Sequence, residues 1–175
     1  MLSMETILGS VETIRNHPPD VPPSAAAPPP ALEAHLGYWL RLVSNEVSHA
    51  FERALRKRDI SVAEWVALNQ LATATGLTPA TLAAAMGMTR GAISKVLDKL
   101  SAKQLISRSV SALDNRVQFL ALTAQGRRML PQLTHIADGN DELFFAALSA
   151  DEQAALRNLL RKVARTGRIL RIPVE

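Results

Sequence analysis

The sequence predicts a mostly α-helical chain with one small β-hairpin. Apolar residues recur every three or four positions along most of the chain from Ala31 onward, which is the spacing of amphipathic helices. The pattern changes to alternation in "ISRSVS" (106–111) and "RVQFLAL" (116–122), which is typical of two paired strands. Aromatic residues make up only 4% of the chain, so leucine, alanine, valine and isoleucine must build the core.

The first 30 residues differ in composition from the rest of the chain. Seven of the ten prolines lie between Pro18 and Pro30, in "PPDVPPSAAAPPP". Such a segment favours polyproline II and predicts a flexible extension over 1–30. Ahead of it, the apolar residues from Ile7 to Ile14 are compatible either with one short helix or with a disordered tail.

The folded part begins with a long helix. An apolar stripe from Leu36 to Ala54 predicts a helix of about 25 residues within 31–58, and a helix that long in a small domain often packs against a second chain. "SVAE" (61–64) is a capping box that starts a second helix ending near Gly76.

The next signals predict a helix-turn-helix followed by a hairpin. Thr78 and Pro79 are an N-cap and a first helical residue, and Gly87 suits the residue that closes this third helix. Thr89 then caps a fourth helix, "MTRGAISKVLDKL" (88–100). Because the hairpin follows at once, 59–122 is predicted to be a winged helix-turn-helix.

Two further helices are predicted in 123–175. Thr123 begins a long one, "SADE" (149–152) begins the last with a second capping box, and Pro173 should stop it.

The basic charge is concentrated in one window. The net charge is +4, yet residues 86–128 alone contain eight basic and two acidic residues. The segments 31–85 and 129–175 are each neutral, which argues against an ordinary solvated charge run. A basic patch of this kind is the electrostatic signature of a nucleic-acid surface.

The fourth helix has the features of a helix that reads the major groove of DNA. Ile93, Val96, Leu97 and Leu100 form its buried stripe, and the opposite face is small and basic. Gly91 and Ser94 permit close approach, while Arg90 and Lys95 can donate to guanine. The residues expected at phosphates are Thr78, Thr89, Ser94 and Lys99. Asp98 either accepts from a cytosine or pairs with Lys95 or an arginine of the wing.

The predicted hairpin turn contains Asp114 and Asn115, which both tolerate a left-handed backbone. Arg116 follows them and suits a narrow minor groove, which attracts inserted arginines. It is equally an ordinary strand-end arginine held by Asp114, and the two interpretations are compatible.

The sequence resembles the MarR-type (multiple antibiotic resistance regulator) winged-helix transcription factors. The resemblance is carried by "MTRGAISKVLDKL", "LISR" (105–108), the D-x-R of Asp114 and Arg116, and "LTAQGR" (122–127), in this order and spacing. It implies a homodimer joined through 31–58 and 123–175 that binds a pseudo-palindrome in double-stranded DNA. It also implies a repressor, less often an activator, that is frequently released by a small-molecule effector. Gln104 departs from the family, which usually has glycine after the recognition helix.

Other kinds of site have weaker signals. Tyr38, Trp39 and Trp65 could line an apolar effector pocket where the first two helices meet, and core packing explains them equally well. His35, His49 and His135 lack the ligand spacing of a zinc site, so no metal and no cofactor are expected. With no cysteine, no transmembrane run and no catalytic motif, we expect a cytoplasmic protein that is not an enzyme. The alternative function is a winged-helix module that binds a protein partner without reading DNA.

Overall fold

The structure, a computed structural model, describes residues 31–110 and 117–169. Within these residues it contains six α-helices and one two-stranded antiparallel sheet, so the predicted fold class is confirmed. The elements are α1 (Leu36–Arg56), α2 (Val62–Thr73), α3 (Pro79–Ala85), α4 (Arg90–Ala102), β1 (Ile106–Val110), β2 (Gln118–Leu122), α5 (Ala124–Phe145) and α6 (Ala150–Thr166). The Pro-rich extension and the hairpin turn at 111–116 lie outside the described residues.

The predicted N-caps are confirmed, because capping depends on residues only three positions apart. Ser61 and Glu64 form the capping box of α2, and Ser149 and Glu152 form that of α6. The hydroxyl of Thr89 accepts from Ala92 N at 3.2 Å at the start of α4. Hydrogen bonds from the Ser149 backbone and hydroxyl hold the pKa of Glu152 below its usual range.

The core lies between α2, α3, α4 and the hairpin. Leu68, Leu82, Ile93, Leu97 and Leu100 are at most 2% exposed, so the predicted stripe of α4 is indeed its buried face. The hairpin pairs in the register Ile106↔Leu122 to Val110↔Gln118, and Leu120 N also donates to Leu77 O at 2.8 Å. This bond attaches the hairpin to the segment that enters α3.

Several predicted element ends were wrong by a few residues. α1 has 21 residues, α2 ends at Thr73, and β2 begins at Gln118 because Val117 is not part of the strand. The prediction that Pro173 stops the last helix was also wrong, because α6 ends at Thr166. There Ile169 N donates to Ala164 O and Arg168 takes a φ of 51°, which closes the helix before the proline is reached. No helix in 31–110 or 117–169 has the length and apolarity needed to cross a bilayer.

Candidate nucleic-acid interface

The face of α4 opposite the core is exposed. Thr89, Arg90, Gly91, Ser94 and Lys95 are all exposed, as is Lys99 on the flank. A Cβ added to Gly91 would meet no atom within 4 Å, so nothing inside the described protein requires glycine at this position. Glycine within a helix costs about 1 kcal/mol relative to alanine. Its presence on this face is therefore consistent with an external partner that approaches the helix closely.

A groove runs beside α4 on the side of the hairpin. Its volume is about 530 Å³, and its lining includes Thr78, Arg90, Ser94, Arg108 and Gln118. The hydroxyl of Thr78 accepts from Thr81 N at 3.2 Å and lies 3.1 Å from the Thr81 hydroxyl, so it caps α3. The structure thus brings the start of α3, the first turns of α4 and strand β1 around one basic groove.

Asp98 is paired with an arginine of the wing. Arg108 Nη2 on β1 lies 2.6 Å from Asp98 Oδ1, which is the second of the two interpretations of Asp98 given by the sequence. The aspartate is 63% exposed at its side chain and the arginine 32%, so the pair lies at the edge of the groove. Arg108 was missed as an interface residue, although "LISR" was recognised as a motif. The sequence signals were its place in the basic window 86–128 and the possible pairing of Asp98 with an arginine of the wing.

The wing residues Asp114, Asn115 and Arg116 lie outside the described residues. The last described pair of the hairpin is Val110↔Gln118, and these two residues flank the predicted turn. The proposed role of Arg116 in the minor groove therefore stays a prediction.

The comparisons with known proteins agree with this geometry. Residues 58–116 match the sequence profile of the MarR family. The transcriptional regulator HosA of Escherichia coli is 30% identical over 108 residues, which cover 62% of this chain and 80% of HosA. The chain belongs to the MarR family.

Two further relatives cover more of this MarR-family chain. The HTH-type transcriptional repressor Rv2887 of Mycobacterium tuberculosis is 29% identical over 133 residues, which are 76% of this chain and 96% of the repressor. A crystal structure of a mutant MarR from E. coli complexed with operator DNA is 27% identical, with a TM-score of 0.63 over 73% of this chain and 92% of that one. The resemblance predicted from the motifs is thus confirmed.

The three aromatic residues predicted to share an effector pocket are separated within the protomer. Tyr38 and Trp39 contact each other in the first turn of α1, with ring centroids 5.3 Å apart, and Trp39 Nε1 donates to Glu33 O. Trp65 instead packs edge-on against Phe51, with centroids 5.0 Å apart. Phe51 is twelve residues after Trp39 on the same helix, a rise of about 18 Å. Within one protomer these side chains do not share a pocket, and their predicted role at an effector stays a prediction.

A cavity between α2, β2 and α5, larger than the groove beside α4, was not predicted from the sequence. Its volume is about 760 Å³, with apolar walls from Leu120 and Leu130 and polar groups from Arg127, His135 and Asp138. No group of three metal-ligating side chains occurs in the described ranges. The cavity was missed because its walls come from segments some 60 residues apart in sequence.

Proposed function

We propose that this MarR-family protein is a sequence-specific DNA-binding regulator of transcription, acting as a repressor. The observation that carries the proposal is the exposed, small and basic outer face of α4, beside a groove that contains Arg90 and Arg108. An α-helix fits the major groove of B-DNA, where its first turns meet the base edges. The proposal assigns no catalytic role to any residue. It places the protein in the cytoplasm, because the named relatives are bacterial and their chromosomes lie there.

The individual contacts follow from the chemistry of each side chain. Arg90 and Lys95 donate to guanine O6 and N7, and Ser94 contributes from the same face. Gly91 lets the backbone come close to the bases. The phosphate contacts are assigned to Thr78, Thr89 and Lys99. The wing contact is assigned to Arg116 in the minor groove, with Asp114 orienting it and Asn115 in the turn.

The test is DNA affinity as a function of salt, on a duplex from the region upstream of the protein's own gene and on a scrambled duplex. Arg90→Ala and Lys95→Ala should each cost about 1–3 kcal/mol on the first duplex and less on the second, because a lost base contact relaxes specificity. Arg161→Ala removes an equal charge from the exposed surface of α6 and should leave both affinities unchanged.

Two outcomes would contradict the proposal. Equal effects of Arg90→Ala and Arg161→Ala would remove α4 as the reading helix. If the wild-type protein binds neither duplex at low salt, the winged helix instead holds a protein partner.

Arg116→Ala should weaken binding without loss of fold, and an unchanged affinity would refute the wing assignment.

We also propose that the protein is a homodimer joined through α1, α5 and α6. α6 has 17 residues and buries none of them within the protomer. Its apolar residues Leu159 and Val163 are 61% and 59% exposed. On α1, Leu36 and Leu40 are 87% and 52% exposed. Among the described residues, 12 of the 14 exposed large apolar side chains lie in 31–58 or 123–169. An exposed apolar surface concentrated in this way is typical of a protein–protein interface.

Sedimentation equilibrium tests the dimer. Leu159→Glu combined with Val163→Glu should shift the protein toward the monomer, because four carboxylates per dimer would be buried in the interface. Val110→Glu places one such carboxylate on a 55%-exposed apolar residue of the hairpin and should leave the mass unchanged. A dimer that survives the double substitution would remove α6 from the interface.

We propose that a small-molecule effector occupies the cavity between α2, β2 and α5. Its apolar walls and the guanidinium of Arg127 suit a small aromatic carboxylate, and the cavity lies between the winged helix and a predicted dimer helix. Benzoate is a suitable probe for calorimetry. Ala72→Phe should narrow the cavity and weaken the binding; equal binding by this variant would place the probe elsewhere. Trp65, which lines a separate cavity of about 440 Å³, remains the alternative site predicted from the sequence.

A further inference from the structure

A second basic cluster lies outside the winged helix. Arg53, Arg56, Lys57 and Arg58 fall within six residues at the end of α1, and all four are exposed. The segment 31–85 is neutral overall, so this cluster is invisible in the charge balance of the sequence. Of the four, Arg56 lines a groove beside α4.

The turn between α1 and α2 is held against the end of α4. Lys103 Nζ lies 2.9 Å from Glu64 Oε1 and also donates to the Asp59 carbonyl oxygen. Glu64 is 2% exposed, and its other carboxylate oxygen accepts from Ser61 N at 2.7 Å. Because a buried carboxylate needs its cation, this contact fixes the turn relative to the recognition helix.

The turn borders the flank of α4 that faces away from the hairpin. With 3.6 residues per turn, Arg90, Ser94 and Asp98 follow one flank of the helix, and Lys99 and Lys103 follow the other. A groove of about 330 Å³ on this second flank is lined by Arg56, Lys99 and Lys103, together with Asp59 and Glu64. Both acidic residues of the groove lie within 4 Å of Lys103, which leaves Arg56 and Lys99 as its outward cations.

We infer that Arg56, together with Lys99, binds the phosphates of the DNA strand on this flank. The inference rests on the proposed function, in which α4 enters the major groove. The major groove of B-DNA is about 12 Å wide, so a helix lying in it is bordered by a phosphate strand on each side. The hairpin and Arg108 face one strand. Arg56 and Lys99 face the other.

Arg56 can exchange its present partner for a phosphate. Its present partner is Glu52, at 2.7 Å, and the two side chains are 71% and 42% exposed. Exposed ion pairs one helical turn apart are weak, so a phosphate readily replaces the glutamate. Arg58, two residues later, instead donates to Gln132 on α5 at 3.2 Å, which directs it away from α4. The two arginines therefore form a matched pair of test and control.

The experiment measures the slope of log K against log salt for the full-length protein on the operator-region and scrambled duplexes. Arg56→Gln should reduce the slope by about 0.9 for each protomer bound and weaken binding to both duplexes by the same factor, because a phosphate contact carries no sequence information. Arg58→Gln should leave the slope at the wild-type value, and Arg56→Lys should largely restore it. Unchanged thermal midpoints exclude unfolding as the cause.

The outcomes separate this inference from the proposed function. A wild-type slope in Arg56→Gln, or an equal loss in Arg58→Gln, would overturn the inference even where Arg90→Ala relaxes specificity as proposed. Absence of salt-dependent binding by the wild-type protein would overturn the proposed function and this inference together.

Discussion

Replacing Gln104 with glycine should stabilise the protein, because Gln104 has a backbone φ of +57° at the end of the recognition helix. The helix closes there with Gln104 N donating to Ser101 O at 2.9 Å and Leu105 N donating to Leu100 O at 3.0 Å. This is a Schellman motif, in which the residue at this position is usually glycine. The same closure ends α3, where the residue is Gly87 with a φ of 64°.

The magnitude follows from the backbone. A left-handed conformation costs a residue with a Cβ about 1–2 kcal/mol. Glycine loses more conformational freedom on folding, which offsets about 0.5–1 kcal/mol of the gain. The Gln104 side chain is exposed and forms no hydrogen bond with any residue that the structure describes, so its removal costs little. The expected gain is therefore about 0.5–1 kcal/mol in the free energy of unfolding.

Urea denaturation at fixed protein concentration measures this gain, and a thermal scan should show a rise of about 1–4 °C. Gln104→Ala is the matched control, because it removes the same side chain and keeps the Cβ. If the alanine variant gains as much as the glycine variant, the left-handed backbone is not the cause and the reasoning is refuted.

Four further substitutions test packing at the end of α4 and along α5. Gly126→Ala should cost about 1–3 kcal/mol by urea denaturation, because the added Cβ would lie 2.1 Å from Leu105 O. Gly139→Ala, in the same helix with no atom within 4 Å, should gain up to about 1 kcal/mol, and equal effects of the two would contradict this account. Lys103→Met should cost about 3–5 kcal/mol by leaving the buried Glu64 without its cation. Adding Glu64→Gln should recover part of that loss, whereas additive losses would show that the two residues act independently.

The parts of the interface that were predictable are those set by neighbouring residues. Thr89 caps α4 through an amide three positions away, and the apolar stripe from Ile93 to Leu100 identifies the outer face by elimination. The family's usual glycine marked position 104 as unusual, and the structure gives Gln104 a left-handed backbone with a φ of 57°. Each of these depends on one turn of helix, so the local sequence contains enough information.

The contacts that join separate elements were not predictable. Lys103 and Glu64 are 39 residues apart, and no pattern pairs that lysine with that carboxylate. The glycine of "LTAQGR" was read as part of a motif, yet its physical reason is the approach of the Leu105 carbonyl. Tyr38, Trp39 and Trp65 were grouped from the adjacency of two helices, and the helix length separates them.

By itself the sequence determined where the helices begin, which face of α4 is buried, and that the positive charge is concentrated around it. Periodicity, capping and composition are local properties, so they can be recognised in the sequence before the fold is known. Only the tertiary structure decided what flanks the recognition helix: Arg108 on the hairpin side, and Arg56 on the side of the α1–α2 turn. Arg56 belongs to a segment with no net charge, so the charge balance of the sequence does not single it out. It lies beside the recognition helix because a buried ion pair holds the α1–α2 turn against the end of α4.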